Sequence, residues 1–355
     1  MLKQMENAGL TDLHFGLDPA TGLKAIIAIH STARGPAIGG CRFIHYTREQ
    51  DAITDALRLA RGMSYKAALA GLPHGGGKAV IIKPEGAFDR AALMQAFGRM
   101  VDQLGGRYIT AMDSGTEVSD MDAIETTTRF VSCTSASGDP SPHTSLGVFE
   151  GIKAAVMHQL GKDSLAGLSI AIQGLGHVGY ALAQRLHQAG VQLYVADIER
   201  ERTDRCVREF NARAVATEAI YDTGADIFSP CGLGATLNSD TIPRLNCRIV
   251  AGCANNQLAT DEDGNRLRQR GILYVPDYVL NAGGLIHVAM HHAGRSADER
   301  DAKIREIAAT LTHLFAEADR TCQSVHHVAD LHAESLLQAA GEVQLTHQHQ
   351  EVQHA

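Results

Sequence analysis

The stretch that decides the fold is Leu168-Ser169-Ile170-Ala171-Ile172-Gln173-Gly174-Leu175-Gly176-His177-Val178-Gly179-Tyr180-Ala181-Leu182. Its first six residues form an apolar run typical of a β-strand, and Gly-x-Gly-x-x-Gly follows at once. The apolar residues that come next recur at helical spacing, and a second apolar run over 191–196 ends at Asp197. A lone Gly-x-Gly-x-x-Gly is weak evidence. Strand, glycines, helix, strand and terminal acid within about thirty residues indicate a dinucleotide-binding unit.

The loop and the acid predict how such a cofactor would be held. The glycines permit a tight turn, close approach of a pyrophosphate and packing of helix on strand, and the helix N-terminus offers amide donors. The predicted contacts are Gly174, Leu175, Gly176, His177, Val178, Gly179 and Tyr180. Asp197 is placed to bind ribose hydroxyls and to repel a 2′-phosphate, and Ile198 and Glu199 supply no arginine, which favours NAD over NADP. The alternative is a similar turn that binds no nucleotide.

Strand–helix units repeat to about residue 290 and predict a parallel, doubly wound sheet. Three further runs end at Cys231, at 254–256 and at 276–281. Ligands bind beyond the carboxyl ends of parallel strands, so Cys231, Asn255 and Asn281 are predicted near the nicotinamide end. Asparagines at strand ends are equally able to cap turns.

A second motif lies in the first half of the chain. Gly75-Gly76-Gly77-Lys78 precedes an apolar run over 79–82, and Lys66 stands twelve residues upstream of Lys78. We expect the glycines to let a substrate approach bare backbone while Lys78 is partly desolvated, which lowers the pKa of a lysine. The simpler alternative is a solvated lysine on a glycine turn. A predicted strand over 108–111 leads into Asp113, for which helix capping is the alternative role.

The remaining pattern predicts an α/β fold of two domains. Residues 1–140 would form a first domain, with a strand at 23–30 and helices at 52–60 and 90–104. Residues 141–324 would form a Rossmann domain, beginning with a helix at about Ser145. Helices are predicted at 297–318 and 328–343, and a C-terminal helix at about 325–345 is a candidate to pack back on the first domain. The Gln- and His-rich end, 344–355, predicts a disordered tail.

Composition excludes several classes of protein. A net charge of −8 argues against a general nucleic-acid surface. No window approaches the ~20 apolar residues of a membrane span, and the N-terminus lacks the apolar run of a signal peptide. Seven cysteines without a CxxC pair predict free thiols in a reducing compartment and no metal site. We therefore expect a cytoplasmic protein.

At this point the motifs together resemble the amino-acid dehydrogenases of the glutamate/leucine/phenylalanine/valine group, closest to its leucine branch. The matching stretches are 35–42, 62–66, 75–78, 110–116, 174–180, 254–258 and 276–284. They occur in the group's order and span most of the chain. The resemblance implies oxidative deamination of an L-amino acid to a 2-oxo acid and ammonia with NAD as hydride acceptor, in a cleft between two domains. It also implies homo-oligomers that form through the first domain.

Residue roles follow by position from the same resemblance. Lys78 would be the catalytic lysine that polarises oxygen and activates water, and Asp113 would exchange protons with the substrate amine. Lys66 would bind the substrate carboxylate, helped by an asparagine of the Asn255–Asn256 pair, for which we choose Asn256. Thr144 and Asn281 would seat the nicotinamide.

The resemblance also defines a side-chain pocket. Its members would be Ile38, Gly39, Gly40, Met63, Ala111, Leu285 and Val288, all apolar or small. The absence of an added Lys or Arg argues against glutamate and favours branched-chain substrates. Leu285 is bulkier than is usual in the leucine branch, so a phenylalanine-type enzyme is the first alternative. Met112, Ser114 and His287 depart from the group's pattern, and an inactive NAD-sensing or scaffolding relative is the second alternative.

Overall fold

The structure is a computed structural model that describes residues 2–232 and 234–353, with side chains described as far as Glu342. The chain divides into two compact units. The first comprises Met1–Asp139, Val288–Arg295 and His332–Ala355, and the second comprises Pro140–His287 and Ser296–Leu331. Within the described residues, no helix is both long and apolar enough to cross a membrane.

The first unit is built on a five-stranded mixed sheet of order β1-β2-β4-β3-β5. Strand β2 is antiparallel to β1 and β4, whereas β3 runs parallel to β4 and β5. The strands are β1 (Asp12–Asp18), β2 (Leu23–Ser31), β3 (Ala37–Ile44), β4 (Gly75–Ile82) and β5 (Tyr108–Met112). The helices at the start of this unit are α1 (Leu2–Ala8), α2 (Glu49–Leu69), α3 (Arg90–Asp102) and α4 (Val118–Glu125).

Helix α2 covers one face of this sheet. Its apolar residues recur at helical spacing and pack on β2 and β4, forming a core of Ile26, Ala28, Ala52, Ile53, Ala56, Leu57, Ala60 and Val80. Burial of a large aliphatic side chain stabilises the fold by roughly 1.5–3 kcal/mol. The helix is longer than the predicted 52–60 and ends at Leu69. Gly71, just beyond it, has a left-handed φ of +64°, which is common after the end of a helix. The last turns of the helix therefore carry Met63 and Lys66.

The glycines before Lys78 differ from the prediction. They belong to β4 and form no turn. A Cβ atom on Gly75 would lie 1.8 Å from the carbonyl oxygen of Ser31, one on Gly76 2.0 Å from the amide nitrogen of Ser64, and one on Gly77 2.9 Å from the Tyr108 ring. At the Cβ positions of these glycines, the protein's own strand, helix and aromatic ring fill the space, so packing within the protein requires glycine there. The approach of a substrate to this backbone stays a prediction.

The second unit contains a six-stranded parallel sheet of order β11-β10-β9-β6-β7-β8. Counted from β6, this is the 3-2-1-4-5-6 order of a Rossmann fold. The strands are β6 (Ser169–Gln173), β7 (Gln192–Ala196), β8 (Arg213–Ala214), β9 (Ile227–Pro230), β10 (Ile249–Val250) and β11 (Leu273–Tyr274). One core cluster includes Phe228, Leu237, Ile242, Val250, Leu267 and Tyr274. The α/β prediction is confirmed.

The remaining helices are α5 (Ser141–Leu160), α6 (His177–Gln188), α7 (Arg200–Phe210), α8 (Asp261–Gln269), α9 (Asp277–Leu280), α10 (Gly283–His292), α11 (Ala297–Arg305), α12 (Ile307–Thr321) and α13 (Val325–Gln353). The helix predicted at 297–318 is thus two helices that meet at Glu306. Helix α5 begins earlier than predicted, with a proline in its first turn, where a missing N–H is harmless. The tail prediction for 344–355 stays a prediction, since those side chains lie outside the described residues.

Candidate active site

A buried ion pair lies at the centre of the first unit. Lys78 is in β4, and Asp113 directly follows β5, on the far side of β3. Lys78 is only 5% exposed, and its Nζ lies 2.6 Å from Oδ2 of Asp113. The alternative of a solvated lysine is therefore wrong. The sheet brings together a cation and a carboxylate that are 35 positions apart in the chain.

A tight turn fixes Asp113. Its backbone N–H donates to Oγ1 of Thr116 at 2.9 Å, and that hydroxyl lies 3.1 Å from the carbonyl oxygen of Cys41 in β3. Gly115 has a φ of +82°, which favours glycine, and a Cβ atom there would lie 1.9 Å from the carbonyl oxygen of Phe43. Helix α4 begins after Glu117, which is its N-cap. Asp113 therefore caps no helix, and its carboxylate is directed at Lys78.

Neighbouring cations keep Asp113 ionised. Burial favours the neutral acid, but the charges of Lys78 and Arg42 and a hydrogen bond from Lys78 outweigh it and lower the pKa of Asp113 to about 2. Asp113 is consequently a carboxylate at neutral pH.

Arg42 is a member of this cluster that had no predicted role. Its Nε lies 3.4 Å from Oδ2 of Asp113, and its Nη1 lies 2.6 Å from Oδ2 of Asp55. The hydroxyl of Tyr46 donates to the same oxygen of Asp55 at 2.6 Å. Asp55 and Tyr46 thereby hold the guanidinium against Asp113. Successive side chains of a strand point to opposite faces, so Arg42 is expected on the same face of β3 as Gly40. This spacing was the sequence signal that could have identified Arg42.

The other predicted substrate residues are divided between the units. Gly39, Gly40, Met63, Lys66, Ala111 and Val288 belong to the first unit, whereas Asn256 and Leu285 belong to the second. Gly40 pairs with Ala111 across β3 and β5, and Gly39 accepts a hydrogen bond from the Tyr108 hydroxyl at 2.7 Å. Lys66 is half-buried near the end of α2.

The second unit shows three different roles for the loop glycines. Gly174 has a φ of +97°, and a Cβ there would lie 2.6 Å from the amide nitrogen of Gly232. A Cβ on Gly179 would lie 2.1 Å from the carbonyl oxygen of Gly174, which reflects close packing of helix on loop. A Cβ on Gly176 would meet nothing within 4 Å. These are the tight turn, the packing contact and the open approach that a pyrophosphate-binding loop requires.

Asp197 is oriented by the same loop. Its Oδ2 accepts a hydrogen bond from the Leu175 N–H at 2.6 Å, and its Oδ1 accepts one from the Glu199 N–H at 2.8 Å. The side chain is 5% exposed, and Arg202 lies 3.6 Å from Oδ1. The amide of Leu175 therefore holds the acid. Arg202 is a neighbour that the sequence interpretation did not consider.

The strand ends of the second unit bring several other predicted residues together. The Cys231 N–H donates to the carbonyl of Gln173 at 2.7 Å, which links the ends of β9 and β6 at the change of strand order. Asn281 donates to the carbonyl of Cys253 at 3.0 Å and to Oδ1 of Asn255 at 2.8 Å. Its own Oδ1 is buried and, among the described residues, accepts no hydrogen bond. A carboxamide or ribose donor would satisfy it.

Four predicted cofactor residues lie on helices α5 and α6. His177, Val178 and Tyr180 occupy the first turn of α6, an end at which a helix leaves N–H groups without intrahelical partners. The hydroxyl of Tyr180, however, donates to Glu209 in α7, and Arg205 lies 3.9 Å above its ring. Thr144 in α5 lies against α10, since a Cβ on Gly284 would be 2.4 Å from its Oγ1.

The open glycine, the oriented acid and the unsatisfied Asn281 oxygen fit a nicotinamide dinucleotide. With the buried Lys78–Asp113 pair, they define the class as a nicotinamide-dependent α/β dehydrogenase. Residues 11–130 match "Glu/Leu/Phe/Val dehydrogenase, dimerisation domain", and residues 192–351 match "Glutamate/Leucine/Phenylalanine/Valine dehydrogenase". The chain belongs to the Glu/Leu/Phe/Val dehydrogenase family and is an amino-acid dehydrogenase.

Similar proteins agree with this assignment. The chain is 47% identical to leucine dehydrogenase of Thermoactinomyces intermedius, over 94% of this chain and 92% of that one. It is 46% identical to valine dehydrogenase of Streptomyces virginiae, over 85% and 86%. The crystal structure of L-tryptophan dehydrogenase from Nostoc punctiforme is 41% identical with a TM-score of 0.84, covering 96% of this chain and 100% of that one.

Proposed function

We propose that the protein catalyses the reversible, NAD-dependent oxidative deamination of a branched-chain L-amino acid, with leucine preferred and valine and isoleucine accepted. The observation that carries the proposal is the buried pair of Lys78 and Asp113, 2.6 Å apart. Burying two charges is costly compared with apolar residues of the same size. A pair that takes part in proton transfer to and from a substrate amine has a functional reason to be buried despite this cost.

The proposed chemistry assigns one task to each residue. Bound NAD would accept a hydride from the substrate Cα. Lys66 would bind the substrate carboxylate, with Asn256 as its predicted helper. Asp113 would accept a proton from the substrate ammonium group, so that the nitrogen lone pair is available when the hydride departs. Lys78, once it has lost its own proton to solvent, would accept a proton from the water that adds at Cα and would then donate a hydrogen bond to the oxygen of the resulting carbinolamine. Asp113 would return its proton to the amine nitrogen, ammonia would leave, and the carbinolamine hydroxyl proton would pass to solvent as the 2-oxo group forms.

The cofactor preference rests on Asp197. Its two oxygens are held by backbone N–H groups at 2.6 and 2.8 Å, which fixes a negative charge where the adenosine ribose is expected. A diol can donate hydrogen bonds to this carboxylate, whereas a 2′-phosphate would be repelled. We therefore propose NAD as the cofactor in preference to NADP.

The substrate preference rests on Gly40, Ala111 and the other small or apolar members of the predicted pocket, and on the names of the leucine and valine dehydrogenases above. The aromatic alternative has support from the tryptophan dehydrogenase structure and from the size of Leu285. One methylene in a substrate pocket changes the discrimination between substrates by only about 1–3 kcal/mol. The aliphatic and aromatic preferences are therefore distinguished by measuring kcat/KM for both kinds of substrate.

The test is a single panel of L-amino acids assayed with NAD and with NADP. We expect the highest kcat/KM for leucine, valine or isoleucine with NAD, and very little turnover of glutamate. A higher kcat/KM for phenylalanine or tryptophan would establish the aromatic alternative. Absence of NADH formation from every L-amino acid at alkaline pH would establish an inactive relative.

We also propose a cytoplasmic homo-oligomer that forms through the first unit. Strand β1 is at the edge of its sheet, and it exposes Phe15 and Leu17 to 54% and 76%. An apolar edge strand is a template for pairing with another chain. Sedimentation of the wild type and of Leu17→Lys tests this, since the variant should dissociate. Equal masses for the two proteins would place the interface elsewhere.

A further inference from the structure

An arginine stands beside the acid that is proposed to select NAD. Arg202 is in the first turn of α7, and its Nη1 lies 3.6 Å from Oδ1 of Asp197. This separation suits an ion pair but is too long for a hydrogen bond. The Arg202 side chain is 51% exposed, whereas that of Asp197 is 5% exposed. The guanidinium is therefore attracted to the carboxylate while solvent still reaches it.

The two partners differ in how firmly they are held. Asp197 accepts hydrogen bonds from the backbone N–H groups of Leu175 and Glu199, which fix its position. Arg202, by contrast, contacts Asp197 through an ion pair of 3.6 Å that is too long for a hydrogen bond. Replacing the carboxylate by a neutral group would remove that attraction. The arginine would then be left next to the expected ribose 2′ position.

We propose that Arg202 is a second determinant of cofactor choice, a ligand for the 2′-phosphate of NADP that the Asp197 carboxylate keeps occupied. The proposal rests on the cofactor site described under Proposed function. Guanidinium groups bind carboxylates and phosphates with the same forked geometry, so one anion can take the place of the other. The N-terminus of α7 adds a favourable dipole. Glu201 in the same turn opposes it, which limits the expected gain.

The test measures binding of two cofactor fragments by calorimetry, adenosine 2′,5′-bisphosphate and 5′-AMP. Asp197→Asn removes the charge and keeps one acceptor for the backbone. We expect this variant to bind the bisphosphate at least about tenfold more tightly, relative to 5′-AMP, than the wild type does. Addition of Arg202→Ala to Asp197→Asn should remove most of the gain and leave only the part that comes from the lost repulsion by Asp197. Addition of Arg200→Ala, which removes a 91% exposed arginine of the same turn, should leave it intact.

Arg202→Ala alone supplies a second measurement that does not depend on changing Asp197. It should weaken the bisphosphate several-fold and leave 5′-AMP unchanged. A gain that is as large without Arg202 as with it, or no gain in Asp197→Asn, would overturn the proposal. If the wild type binds neither fragment nor NADH, the cofactor site and this proposal both fail. If the binding cycle behaves as expected but no amino acid yields NADH, only the proposed function fails.

Discussion

The side chain of Asp113 occupies the space that a side chain on Gly40 would need. A Cβ atom on Gly40 would lie 2.7 Å from the Cβ of Asp113 and 3.1 Å from the carbonyl oxygen of Met112. The first distance is shorter than real Cβ contacts allow. Glycine at position 40 is therefore a condition for the Lys78–Asp113 pair, because it lets the carboxylate lie across β3 towards the lysine in β4.

Gly40→Ala should consequently lower activity through geometry alone. The added methyl group must displace Asp113, and misplacement of a reacting group by about 1 Å costs on the order of 100-fold in rate. We expect a fall in kcat of roughly that size with NAD binding unchanged. The measurements are steady-state kinetics and NADH binding by fluorescence.

Gly341→Ala is the matched control, since a Cβ there would meet nothing within 4 Å. In helix α13 it should stabilise the fold by up to about 1 kcal/mol and leave kcat unchanged. A Gly40→Ala enzyme with normal kcat would show that Asp113 need not lie where the structure places it.

The second unit was largely predictable because its signals are local. The roles of Gly174, Gly176 and Gly179 depend on one turn between a strand and the helix that follows it, and all three lie within six residues. Asp197 directly follows the next strand of the same unit. Arg202 was not predicted, because the search for an arginine near Asp197 stopped at Ile198 and Glu199. It is the first turn of α7 that brings Arg202 back to Asp197.

The first unit was less predictable because its contacts are distant in sequence. Three consecutive glycines favour a turn locally. Their structural reason is that Ser31, Ser64 and Tyr108 approach the backbone of β4 from three other elements. The pairing of Lys78 with Asp113 likewise depends on strand order, which places β3 between β4 and β5. The resemblance identified both residues, but the contact between them comes from the sheet.

Lys78 and Lys66 should give different kinetic signatures when replaced by alanine. Lys78→Ala leaves Asp113 with Arg42 as its charged neighbour and removes the group that we propose to contact the reacting oxygen, so kcat should collapse while NAD binding is retained. Lys66→Ala removes the proposed ligand of the substrate carboxylate and should chiefly raise KM. Lys24→Ala, which breaks an exposed pair with Glu49, is the control and should change neither. Near-normal turnover of Lys78→Ala would show that its assigned role is wrong.

The Asp113 carboxylate should also make stability depend on pH. Its pKa is about 2 in the folded protein against 3.8 for an unperturbed aspartate. Because its pKa is lower in the folded state, the ionised Asp113 carboxylate contributes its full stabilisation above about pH 4. This contribution is lost as the pH falls towards 2. The shift corresponds to about 2 kcal/mol. The free energy of unfolding from urea titrations between pH 2 and 5 should therefore fall less steeply in Asp113→Asn than in the wild type, and identical slopes would contradict the assignment.

The loop glycines of the second unit give the sharpest separation of cofactor binding from folding. Gly179→Ala places a Cβ 2.1 Å from the carbonyl oxygen of Gly174 and should destabilise the unit by several kcal/mol, of the order of a severe packing clash. Gly176→Ala meets nothing within 4 Å in the protein, so its thermal midpoint should stay within a few degrees of the wild type. Its methyl group would stand where a pyrophosphate must approach, and NADH affinity should fall at least about tenfold because close backbone contact is lost. Normal NADH affinity in a stable Gly176→Ala protein would mean that the phosphates bind elsewhere than at this loop.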